Sequence, residues 1–328
     1  MWRFLGLLWV SALQTLVARL RRGPLRPSWT FGFEVVVRTL RRDWDRFELW
    51  PLARVRADLE ARRFPSDAVP RVRREEGAVG AIPGEWVRPP SAPPEAEGVV
   101  LYLHGGSYLF GSPRTHADTL ARVALATGRP VFAPEYPLAP EHPYPSQLQA
   151  ALKVLDGLAD RGVPLERVAL AGESAGGNLV LAVLLALRDR AGPTVCAGAM
   201  VSPWLDLTAS TPSYVRNADY DFGTREVLVT QAKLFAGEVP LGDPRVSVGF
   251  ADPAGIAPVF VVAGSAELLF DECRAWAERA RAAGVDVTWD EARDMPHAPI
   301  FFAAMHPEAR RATDAMGRFL RRRLDAGR

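Results

Sequence analysis

Between positions 167 and 183 the chain reads RVALAGESAGGNLVLAV. One apolar run leads into Gly172-Glu173-Ser174-Ala175-Gly176, and a second apolar run follows. A strand that turns sharply into a helix here would hold Ser174 on a strained turn. Glycines at 172 and 176 would keep Cβ atoms out of the crowded corner. G-x-S-x-G is a weak pattern alone, but the strand before it and the apolar helix behind it are what a nucleophile elbow requires. The helix N-terminus favours developing negative charge, and the N–H of Ala175 would point toward it. His104-Gly105-Gly106-Ser107 ends an apolar run about seventy residues upstream and offers a second set of backbone donors for an oxyanion.

A serine nucleophile needs a base, and the base needs an orienting acid. The histidines are His104, His116, His142, His297 and His306. In an elbow architecture the chain order is serine, acid, histidine, so only His297 and His306 qualify. His297 lies in the loop DMPHAPIFF after an expected strand and is the better base. His306, beside Pro307 at a helix start, is expected to be exposed. The acid should follow the apolar run 258–264. Glu267 stands just past that run, and Asp271 a helical turn further on, where it suits a helix cap. Glu267 is the favoured acid. No Cys or His pair has metal spacing. Cys196 and Cys273 read as packing residues in a reducing compartment.

These residues need a scaffold, and the apolar pattern supplies one. Strands are expected at 99–106, 130–136, 167–172, 195–202, 258–264 and 285–292. Helices are expected at 115–128, 145–160, 175–190, 271–283 and about 307–324. Apolar strands alternating with helices imply an α/β chain, its mostly parallel central sheet covered on both faces. Residues 23–76 carry a helical pattern broken by prolines, and 88–98 form a Pro-rich loop. Residues 205–250 interrupt the rhythm with polar loops and one helix near 224–236, which suggests an insertion over one end of the sheet. The 328 residues are ordinary in composition, with a formal net charge of +2. Arginines outnumber lysines 38 to two but are scattered, without interleaved aromatics, so no nucleic-acid partner is implied.

In register over about 95–320, the sequence resembles the hormone-sensitive-lipase-like group of α/β-hydrolase esterases. HGGSYLFGS resembles that family's HGGG block, EYPLAPEHPYP its YRLAPEHPFP block, and GESAGG its GDSAGG elbow. SPWLDLT, DPRVSVGFAD, ELLFD and MPHAP follow in the family's order. The resemblance implies an α/β-hydrolase fold with a helical cap. It divides the chain into N-terminal cap helices at 1–60, a catalytic domain at 61–204 and 251–328, and a cap insertion at 205–250. It implies Ser174 as nucleophile, Glu267 as acid and His297 as base. The oxyanion hole would use Gly106, Ser107 and Ala175, with Gly105 shaping the turn. Ser107 stands where the family usually has a third glycine, and Glu267 where aspartate is more usual. Glu135 and Pro137 alter the tyrosine block.

The expected activity is hydrolysis of short- to medium-chain carboxylic esters through an acyl-enzyme, without cofactor or metal. The partner is a small-molecule ester, in a cytoplasmic protein for which a homodimer and membrane association are both open. An amidase or deacetylase with the same triad is the alternative. A non-catalytic ligand-binding relative is disfavoured because His297 is present, and a dehalogenase or epoxide hydrolase would need Asp at 174.

The first 22 residues are read separately. Trp9, Leu13, Leu16 and Leu20 recur at a spacing of four, three, four, with Ser11, Gln14, Thr15, Arg19 and Arg22 on the other face. The uninterrupted stretch between Arg3 and Arg19 is shorter than the ~20 residues that span a bilayer. The favoured expectation is a cap helix over the acyl pocket, its apolar face buried on the protein. The alternative is a helix in a membrane interface, making peripheral contact through residues 1–22.

Overall fold

The computed structural model describes residues 2–44, 46–62 and 64–326. Four helices come first: α1 (Trp2–Arg22), α2 (Phe31–Trp44), α3 (Arg46–Leu49) and α4 (Leu52–Ala61). A hairpin follows, β1 (Arg73–Val79) and β2 (Ile82–Arg88). The alternating part is β3 (Val99–Leu103), α5 (Ala117–Thr127), β4 (Val131–Pro134), α6 (Ser146–Asp160), β5 (Val168–Glu173), α7 (Ala175–Asp189) and β6 (Ala197–Val201). Two helices, α8 (Ser213–Arg216) and α9 (Arg225–Ala236), interrupt it. The chain closes with β7 (Val259–Gly264), α10 (Phe270–Ala282), β8 (Val287–Ala292) and α11 (Pro307–Ala326).

The strands form one sheet in the order β1-β2-β4-β3-β5-β6-β7-β8, parallel from β4 to β8. Strand β3 shows why the sheet is buried on both sides. Val99, Leu101 and Leu103 pack with Leu155 of α6, Leu179 of α7 and Trp276 of α10. Val100 and Tyr102 pack with Leu120 of α5 and Leu320 of α11. A strand with two dry faces must be apolar at every position, and the period-2 signal disappears.

The expected strands and helices all occur, shifted by a few residues at their ends. The antiparallel hairpin β1–β2 was not expected. Strand β1 is RREEGAV at the sheet edge, largely wet, with only Val79 buried, so hydrophobic alternation gives no warning of it. A two-residue turn at Gly80 and Ala81, both at positive φ, joins the strands.

Helix α1 overturns the expectation for its apolar face. Trp9, Leu13, Leu16 and Leu20 are exposed, whereas Ser11 and Thr15 are fully buried. The roll is set by an ion pair: the buried Glu34 of α2 binds Arg19 Nε at 2.9 Å and Arg38 Nη2 at 2.9 Å. Arg19 is thereby held toward α2, with Ser11 and Thr15 turned inward and the apolar stripe turned out. Among the described residues no helix is long and apolar enough to cross a membrane.

Candidate active site

The carboxyl ends of β3, β5, β6, β7 and β8 lie side by side, because Leu103 pairs with Gly172, Glu173 with Val201 and Gly264 with Ala292. The residues singled out from the sequence sit just beyond those ends, where open α/β sheets place their sites.

Ser174 joins β5 directly to α7 at φ 57°, ψ −120°, a backbone region costly for any residue but glycine. The strain is held by hydrogen bonds: Ser174 N–H donates to Val201 O at 2.9 Å, and Trp204 N–H donates to Ser174 O at 3.0 Å. A Cβ at Gly176 would overlap the Leu103 carbonyl, which is why the corner needs glycine. Ser174 is half-buried between buried neighbours and opens onto a cleft of about 550 Å³. Gly106, Ser107 and His297 open onto the same cleft.

His297 and Glu267 are brought together without touching. His297 Nδ1 lies 4.0 Å from Glu267 Oε2. Both His297 Nδ1 and Glu267 Oε1 are buried without a hydrogen-bond partner. Burial lowers the His297 pKa, against the opposing pull of the Asp221 carboxylate, so the ring is a free base near neutrality. Burial, and then the Asp221 charge, push Glu267 well above the usual carboxylate range. Hydrogen bonds from Ser202 Oγ at 2.6 Å and Gly264 N–H at 3.0 Å oppose that rise. Asp271 pairs instead with the exposed Arg216 at 2.7 Å, away from His297. His306 is buried, contrary to expectation: its ring packs on Phe33 of α2, and its Nδ1 accepts the Glu308 N–H.

The sequence reading missed four supporting residues. Asp221, in the segment before α9, accepts Phe222 N–H and His297 N–H with Oδ1, and Leu268 N–H with Oδ2, at 2.8, 3.1 and 2.8 Å. It ties the histidine loop to the acid loop. Ser202 does the same from β6, donating to Glu267 and accepting Ala298 N–H at 3.0 Å. No local pattern marks Asp221, because its partners lie far along the chain; Ser202 opens the SPWLDLT block, which gave it no role.

The other two lie behind the glycine loop. Glu173, fully buried beside Ser174, accepts the Gly105 N–H and the Tyr102 hydroxyl. Gly105 thus shapes the loop, with its amide occupied. His116 Nε2 lies 3.0 Å from Glu173 Oε1, and its Nδ1 lies 3.1 Å from Ser112 O. The Thr115 hydroxyl also lies 2.9 Å from Nδ1, and the Glu173 carboxylate favours the charged form of the ring. Burial opposes that charge, but the Glu173 charge and hydrogen bond raise the His116 pKa overall. Its stacked neighbour His104 is driven down to about 3 by burial and by the His116 charge. Signals existed here: Glu173 lies inside the elbow motif, and His116 was one of five histidines.

Ser107 has φ 54°, a conformation that suits the glycine it replaces. Ala175 opens α7, where the first N–H groups have no carbonyl of their own helix. The cysteines are free: Cys273 is buried and its thiol donates to Pro203 O, and Cys196 is half-buried. Among the described residues no cluster of His, Cys, Asp or Glu is arranged to hold a metal ion.

Comparison with known proteins agrees with this fold. A family model for the α/β-hydrolase fold matches residues 100–301. An acetyl-hydrolase of Streptomyces hygroscopicus is 35% identical over 281 residues, covering 80% of this chain and 90% of that one. Carboxylesterase NlhH of Mycobacterium tuberculosis is 32% identical over 286 residues, covering 83% and 89%. The crystal structure of an esterase from the bacterial hormone-sensitive lipase family superposes with a TM-score of 0.80. Its identity is 35%, over 87% of this chain and 97% of that one.

Proposed function

The chain belongs to the α/β-hydrolase fold family and, within it, to the hormone-sensitive-lipase-like group, and from that membership we propose that it is a serine carboxylesterase. The observation that carries this reading is Ser174, held at a strained strand–helix corner and opening onto the same cleft as His297. Ser174 Oγ attacks the ester carbonyl while His297 takes its proton. Backbone N–H groups of Gly106, Ser107 and Ala175 hold the oxyanion. His297 then protonates the leaving alcohol, and water repeats the cycle on the acyl-enzyme. Glu267 stabilises the imidazolium as it forms. At the present 4.0 Å separation from Glu267 Oε2, His297 Nδ1 has no hydrogen-bond partner, and such contacts tighten as charge develops.

The cleft supports a short to medium apolar acyl group. Phe4 and Leu8 of α1, Leu40 of α2, and Phe222 and Leu228 of the 205–250 segment line it. We assign residues 1–60 and 205–250 as the cap on this ground, over a catalytic domain of 61–204 and 251–328. The acetyl-hydrolase and carboxylesterase relatives support the same substrate class. Ser174→Ala and His297→Ala should each lower hydrolysis of a nitrophenyl ester by roughly three to six orders of magnitude, with an unchanged melting temperature. Activity within tenfold of wild type in either variant would refute the assignment.

A further inference from the structure

We propose that the outward face of α1 docks on a phospholipid bilayer that carries anionic headgroups, lying in the interface without crossing it. Six large apolar side chains, Trp9, Val10, Leu13, Leu16, Val17 and Leu20, share one arc of the helix and are 41–81% exposed. Scattered exposed apolar residues are ordinary on a protein surface, but a continuous stripe along three turns is not. The opposite face makes the arrangement more telling. Ser11 Oγ and Thr15 Oγ1 are buried there without hydrogen-bond partners. In water alone the helix would gain by rolling its hydroxyls out and its leucines in. The Arg19–Glu34 pair and a hydrogen bond from Arg42 to Gln14 hold the opposite roll. The outward apolar face therefore belongs to the fold.

Charge selects the occupant. Residues 1–42 hold eight arginines and a single acid, Glu34, which is buried and already paired. Arg21 and Arg22 lie exposed in the last turn, at the end of the stripe. An apolar arc edged by arginine fits an interfacial helix on anionic lipid. A second copy fits less well, because α1 carries arginine near both ends and no acid, so self-pairing in either direction sets arginine near arginine. Phe4 and Leu8 on the inner side line the cleft. One helix would thus have lipid on one side and the substrate cleft on the other.

The test is co-sedimentation of the full chain with vesicles of phosphatidylcholine alone, or of phosphatidylcholine and phosphatidylserine in a two-to-one ratio. The expected result is binding to the second, weakened by salt. Trp9→Ser with Leu13→Ser and Leu20→Ser should abolish it, and Arg21→Glu with Arg22→Glu should weaken it by roughly tenfold or more. Both variants should keep wild-type activity on a soluble ester, which shows that they fold and separates this inference from the esterase reading. Wild-type protein that ignores anionic vesicles would overturn the proposal. So would a wild-type dimer that the triple serine variant turns into a monomer, since a second copy would then be the occupant.

Discussion

At the residue scale, His297 and Asp221 define a measurable pH dependence. His297 works only as the neutral ring, and burial holds its pKa below the ordinary 6.5, so the acid limb of kcat/KM should lie below that value. The Asp221 carboxylate is the charge that pulls His297 upward. Asp221→Asn should therefore move the acid limb to still lower pH. It should also lower kcat, because the asparagine amide group takes the place of one oxygen that accepts a backbone N–H from the two loops. A limb that stays in place or moves up, measured on a soluble nitrophenyl ester, would remove Asp221 from this role. Glu267 and Asp271 give a second contrast. Glu267→Gln keeps the size but loses the charge facing the imidazolium, and should cost far more rate than Asp271→Asn, whose partner is Arg216 on the surface. The reverse order at equal melting temperature would move the acid to Asp271.

At the element scale, the loop after β3 is held from behind by an ion pair that the strand–helix pattern does not reveal. Glu173 ends β5, accepts the Gly105 N–H of that loop and is neutralised by His116 at the start of α5. His116→Gln removes the charge and leaves a buried carboxylate uncompensated, a loss typically worth about 3 kcal/mol. The sign with pH follows from the raised pKa of His116. The pair contributes fully below the ordinary histidine value of 6.5, and its contribution fades as pH rises through the higher folded value. The melting-temperature gap between wild type and His116→Gln should accordingly be widest at acid to neutral pH and narrow in alkali. A gap that is flat across pH would mean that His116 acts by shape alone.

At the scale of the whole molecule, the cleft is assembled from segments far apart in the chain: α1 and α2, the loop after β3, the elbow, the 205–250 segment and the histidine loop. Phe4→Ala with Leu8→Ala should widen the apolar end and shift the nitrophenyl ester profile toward longer acyl chains, with little change in the rate on acetate. An unchanged profile would place the acyl group elsewhere in the cleft. The sequence by itself determined what depends on neighbours within a turn or a strand. Buried parallel strands must be apolar throughout, the elbow must have glycines around Ser174, and the serine–acid–histidine order narrows the base to His297 and His306, of which His297 has the loop position. That information is local, and it reaches the sheet, its covering helices and the candidate triad. Only the tertiary structure decided the rest. The β1–β2 hairpin is a wet edge without alternation. His306 is buried because α2 packs across it. Asp221 and Ser202 bridge loops that touch only once the sheet has formed. The roll of α1 is the clearest case. Its spacing defines an apolar stripe but not a direction, and the Arg19–Glu34 pair, made across fifteen residues, turns that stripe outward.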